Sequence, residues 1–450
     1  MLVKLSVDNF MSFDKETEFT MIPSNRTTKK KEHKIKIKST SLLKYAVIYG
    51  ANAAGKSNLV EVFNFIQYCV MKSMPAKSAT MFCKTKEENS KRNSNFEIQF
   101  TLDGKFYAYG FSVYLQENKI VSEWLYELYQ NGSAKTLFER ENGKKPMLGE
   151  GIVLGNFDET KMQTYLDDFD ENSNILFLSF MNRGKKYDKN SKIIFLKDVF
   201  EWITESLDVC TPHTSFNSFE YYYDNESLAK INELIKTFDT GITKISIEEI
   251  TQDEFRKELP KPIYDEIMED IKKKIEDDNI RDFEVSMKSP DSFFNLEIIN
   301  GSELKITTIK LTHGNSCYSF DFHEESDGTR RVFELLDILL NKSENKVYVI
   351  DEMERSLHPK LTSRFIELFN EMHPGQKIQL IFTTHESAIM DQNLFRRDEI
   401  WFVERDKDNS SNIYSLDKFK ERYDKKLSKA YLEGRYGAIP AFTSFKFKQD

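Results

Sequence analysis

The eight residues Gly50-Ala51-Asn52-Ala53-Ala54-Gly55-Lys56-Ser57 constrain this chain more than any other stretch. They fit the pattern Gly-x-x-x-x-Gly-Lys-Ser/Thr in full. They also stand where the pattern carries a mechanism. The apolar run LLKYAVIYG (42–50), which suits a buried strand, precedes them. Leu59, Val62, Phe63, Ile66 and Val70 follow at helical spacing. A loop that cradles phosphate must turn successive backbone N–H groups inward, and Gly50 and Gly55 are expected to permit that curl. The start of the helix adds partial positive charge. Lys56 would reach the β- and γ-phosphates, and Ser57 would ligate Mg²⁺. Asn52, Ala53, Ala54 and Asn58 complete the expected nucleotide-binding set. Strand, phosphate loop and helix in that order predict an α/β fold.

A second motif supplies what such a site needs. Val347-Tyr348-Val349-Ile350 is an apolar strand that runs into Asp351 and Glu352. Adjacent acids at a strand end suit ATP hydrolysis: Asp351 would hold the Mg²⁺ shell, and Glu352 would polarise the attacking water. Thr383-Thr384-His385 closes the next apolar strand, where His385 could sense a γ-phosphate. Arg355-Ser356-Leu357-His358-Pro359 directly follows the acid pair. It reads as a helix start with early Pro359, or as a loop (Ser356, Leu357, His358) lying across a dimer interface. Ser326-Asp327-Gly328-Thr329 precedes a helix over 329–341. Alone it is an ordinary N-cap. One helix and one turn before Asp351, it could form a second anion site.

The rest of the chain surrounds these motifs. LVKLSVDNF and ETEFTM read as paired strands. Residues 95–130 alternate, with a hairpin turn at Asp103-Gly104, and predict an antiparallel β layer. Residues 160–290 read as mostly helical and highly charged, with 248–279 resembling a solvent-facing arm. Residues 294–325 return to strands. The expected division is 1–155 and 293–450 as two parts of one core, with 156–292 as an inserted arm.

Composition narrows the function. There are 64 Lys and Arg against 73 Asp and Glu, a net charge of −9, which argues against a protein that coats DNA through a broad basic surface. Lys29 to Lys38 is the local exception. It reads as a solvated loop or charge-protected edge, or as a patch for nucleic acid or an acidic partner. The four cysteines (Cys69, Cys83, Cys210, Cys317) form no Cys-x-x-Cys and fit reduced thiols. No apolar run approaches about 18 residues and the start is no signal peptide, so no membrane role and a cytoplasmic location are expected.

Together the motifs resemble an ABC-type ATPase head of the SMC and RecF kind, with NF-x-SF (Asn9, Phe10, Ser12, Phe13) similar too. The YGANAAGKSNLVE loop, Ser-Asp-Gly-Thr, DEMERSLHP, FTTHE, RRDEIWFVE and YLEGRYGAIP bring the resemblance closer to the RloA/AbiL/AriA-like family of prokaryotic anti-phage ATPases. It covers roughly 1–70 and 320–440. It implies an ABC-type P-loop NTPase head with an antiparallel β layer, ATP and Mg²⁺ as cofactors, and a homodimer or higher homo-oligomer closed around ATP. Lys56, Ser57, Asp351, Glu352 and His385 would act in cis, and Ser326 and Gly328 in trans. The usual glutamine loop has only Gln99, Gln163 and Asn182 as stand-ins. The signature also departs from the common Leu-Ser-Gly-Gly form. Related ATPases often carry a TOPRIM nuclease. Here Glu404, Asp406 and Asp408 fall in one short segment with too little chain after it, so the resemblance implies a separate effector, such as a TOPRIM-like nuclease, and a phage protein as trigger.

Three roles stay open at this point: an ATP-hydrolysing switch in anti-phage defence, an SMC- or RecF-like DNA-repair or chromosome ATPase, and an ATP-stabilised scaffold.

Overall fold

The computed structural model describes residues 1–172, 174–212, 225–275, 282–288, 292–300, 303–341, 343–419 and 426–440. Its contacts divide the chain into two compact units. The first comprises Met1–Thr214, Ser343–Glu354 and His373–Asp450. The second comprises Ser215–Lys342 and Arg355–Met372.

The first unit is built on a six-stranded sheet. Its order is Leu207–Cys210, Val347–Ile350, Gln379–Thr383, Tyr45–Tyr49, Ile400–Arg405 and Ser411–Ser415. The first five run parallel, and only the last is antiparallel. Every residue of Tyr45–Tyr49, Val347–Ile350 and Gln379–Thr383 is buried. That is why these strands read as unbroken apolar runs rather than alternating ones. Parallel neighbours require crossovers, so three phosphate-site motifs far apart in sequence end side by side at one sheet edge.

A seven-stranded antiparallel sheet forms the second layer, in the order Met147–Leu148, Ala134–Glu141, Lys119–Leu128, Lys105–Tyr114, Ser94–Leu102, Leu2–Asp8 and Thr17–Thr20. Asp103 (φ 49°) and Gly104 (φ 73°) turn the expected hairpin. The helix Lys56–Met71 fills the space beside it. Phe65 packs 4.9 Å from Phe96, and both meet Phe10, while Leu59, Val62 and Phe63 join the same core as Val347, Val349 and Ile381. This α/β arrangement with an antiparallel layer is the one expected of an ABC-type P-loop head.

The expected inserted arm does not begin at residue 156. Residues 156–212 belong to the first unit, for a physical reason the charge pattern concealed. The buried Glu123 carboxylate accepts the N–H groups of Phe177 (2.5 Å) and Leu178 (3.0 Å), and so caps the helix Phe177–Asn182. Ser179 donates to the Val70 carbonyl at 2.6 Å. Gln67 donates to the carbonyls of Ile203 and Leu207. Strand Leu207–Cys210 then completes the central sheet.

The second unit is not built of helices alone. A sheet in the order Ile242–Ile250, Glu303–His313, Phe293–Ile299, Phe283–Lys288 forms its centre. Helices Gln252–Glu258 and Lys261–Ile275 bury Phe255 and Ile271 against Phe294, Leu296 and Ile306. They are thus half-buried rather than a free arm, and residues 276–279 of that stretch lie outside the described residues. Helices Asp327–Leu340 and Pro359–Met372 pack together here. The expected core part 293–450 is therefore shared between the units.

Candidate functional site

The phosphate loop owes its shape to two different constraints. Gly55 (φ 109°) and Ala53 (φ 60°) take left-handed backbone conformations, so Gly55 supplies the curl as expected. Gly50 does not. A Cβ there would lie 2.4 Å from the Val403 carbonyl oxygen, so its role is close approach to the neighbouring strand. The loop is braced from behind. Ser411 donates from its hydroxyl to the Ala54 carbonyl at 2.6 Å, and its N–H donates to the Ser12 carbonyl at 2.7 Å. Asn58 donates to Ser12 Oγ at 2.7 Å. Asn52, Ala53 and Ser57 are left exposed at the loop surface.

Lys56 is buried, and its Nζ donates to the carbonyls of Gly50 (2.9 Å) and Ala51 (3.2 Å). Its third neighbour is His385 Nδ1 at 3.4 Å. An ammonium has no lone pair, so this contact assigns Nδ1 as acceptor and leaves the proton on Nε2. Burial lowers the Lys56 pKa to about 8, against the opposing pull of Asp351, Glu354 and Glu352. Burial and the Lys56 charge hold His385 below the usual imidazole value. Lys56, the acids and His385 therefore share one electrostatic site within the first unit.

The acids are held by a residue whose role the sequence reading passed over. Thr383 Oγ1 donates to Asp351 Oδ1 at 2.5 Å and accepts the Glu352 N–H at 2.8 Å. Its carbonyl accepts the Met353 N–H at 3.2 Å, and Asp351 N–H donates to the Cys210 carbonyl. Glu352 thereby keeps a left-handed φ of 49°, a conformation that non-glycine residues adopt only when their surroundings enforce it. Glu354 was also unassigned: its Oε1 accepts the His385 N–H at 2.6 Å. Its place two residues after Glu352 was a signal available in sequence, whereas Thr383 required the strand register.

Other anticipated residues lie elsewhere. Gln99 donates to Glu97, Gln163 to Asp167, and Asn182 to the carbonyls of Leu178 and Leu196, so none is presented to this site. Glu404 accepts from Tyr414 and the Ala438 N–H, and Asp406 organises the turn to Ser410. These two acids thus brace the chain end and the hairpin.

In the second unit, Ser326 caps the helix Asp327–Leu340, accepting the Thr329 N–H at 3.1 Å. Asp327 and Ser326 are exposed. A Cβ on Gly328 would lie 2.7 Å from the Ser356 carbonyl oxygen. The expected signature and the 356–358 loop therefore touch directly. Ser356 has φ 63°, and His358 Nδ1 accepts the Lys360 N–H as the helix from Pro359 begins.

The residues fit Mg-ATP by the chemistry of their donors. Among the described residues no group of three or more His, Cys, Asp or Glu could hold a metal unaided. Asp351 and Ser57 offer one carboxylate and one hydroxyl, the sparse protein set that a Mg²⁺ sharing substrate phosphates uses.

The family described as "AAA domain, putative AbiEii toxin, Type IV TA system" matches residues 46–391. The chain belongs to this AAA-domain family. The matched span begins in the strand ahead of the AAA phosphate loop and runs past His385, so it takes in the loop, Asp351, Glu352, Glu354, Thr383, His385, Ser326 and the 356–358 loop. No curated protein matches the chain. Among solved structures, it is similar to an Smc head bound to the C-winged helix domain of ScpA (13% identity, TM-score 0.39, covering 92% of this chain and 97% of that one). It is similar to the SMC head domain from Thermotoga maritima (13%, 0.33, 92% and 98%). A third is an Smc head domain with an extended coiled coil, bound to the C-terminal domain of ScpA, from Pyrococcus furiosus (14%, 0.38, 96% and 99%). Superpositions this loose add nothing to the fold, which rests on the strand order. No described helix is long and apolar enough to cross a membrane.

Proposed function

We propose that this AAA-domain protein binds Mg-ATP, closes into a dimer around it and hydrolyses it, serving as the sensor and switch of an anti-phage system that controls a separate effector. The observation that carries the hydrolysis is the meeting of Lys56 with His385 at 3.4 Å beside Asp351 and Glu352, at the ends of adjacent parallel strands.

Each residue has a distinct task. Backbone N–H groups of the loop and the Lys56 ammonium bind phosphate oxygens, with Lys56 exchanging its loop carbonyls for them. Ser57 and Asp351 would hold Mg²⁺, which when bound neutralises phosphate charge. Thr383 fixes Asp351 in place. Glu352 accepts the proton of the attacking water. His385 donates from Nε2 to the charge that develops on the terminal phosphate, while Glu354 anchors its backbone. Ser326 and Gly328 reach the nucleotide of the second protomer, and the 356–358 loop ties that contact to the interface. The family's description, which names a putative toxin and a Type IV TA system, supports a partnered role over a solitary enzyme. The effector would be a nuclease of TOPRIM-like chemistry, released or held according to nucleotide state, with a phage protein as trigger.

Glu352→Gln tests the reading. ATP should still bind, turnover should fall by about 10²–10⁴, and a dimer should accumulate with ATP on size exclusion. Turnover that survives the substitution, or no ATP-dependent dimer, overturns the mechanism. Co-purification with ATP separates the roles: a small nuclease supports the switch, and replication or repair proteins with ATP-dependent DNA binding refute it.

A further inference from the structure

The lysine-rich segment from Lys29 has no part in the nucleotide site, yet it is not merely a solvated loop. Lys29 and Lys30 line a cavity of about 540 Å³ in the first unit. Lys426 lines it from near the C-terminus, and the loop after His385 supplies Gln392 and Asn393. Three ammonium-bearing side chains from two remote segments thus converge on one space, with amide donors beside them. Among the described residues, Asp391 and Glu32 are the acids beside these lysines. Asp391 lines the cavity, but its Oδ1 accepts the Asn393 N–H at 2.8 Å. The exposed Glu32 lies 4.0 Å from the half-buried Lys30. Among the described residues that line it, three lysines stand against one aspartate, in a chain whose net charge is −9.

The walls are held firmly. Arg396, almost wholly buried, donates to the carbonyls of Lys29 (2.5 Å) and Thr27 (3.0 Å), and its charge is matched by Asp398 at 2.7 Å. Lys30 is fixed at φ 49°. The helix Leu427–Leu432 packs on the turn Ser387–Ile389. That turn, whose Ala388 lines the cavity, follows His385 in an unbroken run of chain, with Thr384 Oγ1 accepting the Glu386 N–H at 2.9 Å.

We infer that this cavity is a second anion site, that it takes a small phosphorylated compound, and that its occupancy reaches His385 through the 386–393 loop. Its volume matches small-molecule sites, and lysines placed as point charges with amide donors suit phosphate oxygens. A nucleic acid would need a continuous charged track, whereas the lysines here gather around one half-open pocket. The binding claim stands apart from hydrolysis, whereas the importance of reaching His385 rests on the function proposed above.

The test uses the full chain carrying Lys56→Ala, which removes the phosphate loop as a competing site, with inorganic pyrophosphate as probe in the absence of metal. Calorimetry should show binding, weakened at least tenfold by Lys29→Glu with Lys426→Glu. Both lysines are exposed, and thermal melting will show that the variant folds. Hydrogen exchange should slow in 386–393 when pyrophosphate binds. No binding in the Lys56→Ala chain, or binding indifferent to the charge reversals, overturns the site. Binding without slowed exchange overturns the link to His385 and leaves the hydrolytic reading untouched. Protection by a DNA duplex but not by pyrophosphate overturns the assignment to a small ligand.

Discussion

Thr383 shows how one hydroxyl can govern a site it does not enter. It donates to Asp351 and accepts from the Glu352 N–H, so it sets the direction of both acids. Residues that orient a metal-binding carboxylate in this way typically tune metal affinity by 10–100-fold. Thr383→Val keeps shape and removes the hydroxyl. It should raise the Mg²⁺ concentration needed for half-maximal turnover by about 10–100-fold and leave metal-free nucleotide binding nearly unchanged, as measured with a fluorescent ATP analogue. An unchanged Mg²⁺ requirement would refute the assignment. Lys44 makes a different residue-scale argument. It is buried, donates to the His373 carbonyl at 2.8 Å, and burial lowers its pKa to about 8 despite nearby Glu399. Between pH 8 and the ordinary lysine value the unfolded chain binds the extra proton, so stability should rise with pH in that window. The slope from one such group is at most about 1.4 kcal/mol per pH unit. Urea denaturation from pH 7.5 upward should show the rise, and Lys44→Met should reduce it, leaving the share of Lys56, whose pKa burial also lowers to about 8.

At the scale of elements, the phosphate loop is shaped as much by its neighbours as by its own glycines. The Gly50 position abuts the Val403 backbone of the adjacent strand, and Gly55 sits against Ser411 and Ser12. Gly50→Ala should therefore strain the sheet as well as the loop, costing about 1–3 kcal/mol, read as a lowered melting temperature without nucleotide. A variant that melts like the parent would show that the loop moves freely from that strand. The loop was legible because its chemistry is local: phosphate capture demands glycine, lysine and a hydroxyl at set spacing. So were the two buried strands that end in Asp351 and Thr383, since strands covered on both faces must be apolar throughout. Glu123 was not. It is buried with Arg140 at 3.8 Å and caps a helix from a remote segment, a pairing that no local pattern encodes.

For the whole molecule, the separation of the signature from the phosphate loop into two compact units makes shared sites testable. Lys56→Ala and Ser326→Arg should each abolish turnover. Mixed in equal amounts, they should recover about a quarter of the parent rate, because half the dimers are mixed and each holds one intact composite site. No recovery would mean that both motifs serve the same chain. The same division explains why the arm was misplaced. A run of charged helical sequence reads as one insertion. Yet residues 156–212 are tied to the first unit by Gln67, Ser179 and a sheet strand, and the strands Ile242–Ile250, Phe283–Lys288, Phe293–Ile299 and Glu303–His313 form a sheet of their own.

The amino-acid sequence by itself determined the chemistry on offer: a phosphate loop, an acid pair and a histidine, each written in adjacent residues at the end of a buried strand. Only the tertiary structure decided what surrounds them. Thr383 clamps the acids, Glu354 holds His385, Val403 forces glycine at position 50, and Lys29 and Lys426 meet across a cavity. The physical reason is range. Backbone conformation and phosphate binding are encoded over a few residues, whereas strand register, burial of charge and convergence of lysines arise between segments hundreds of positions apart.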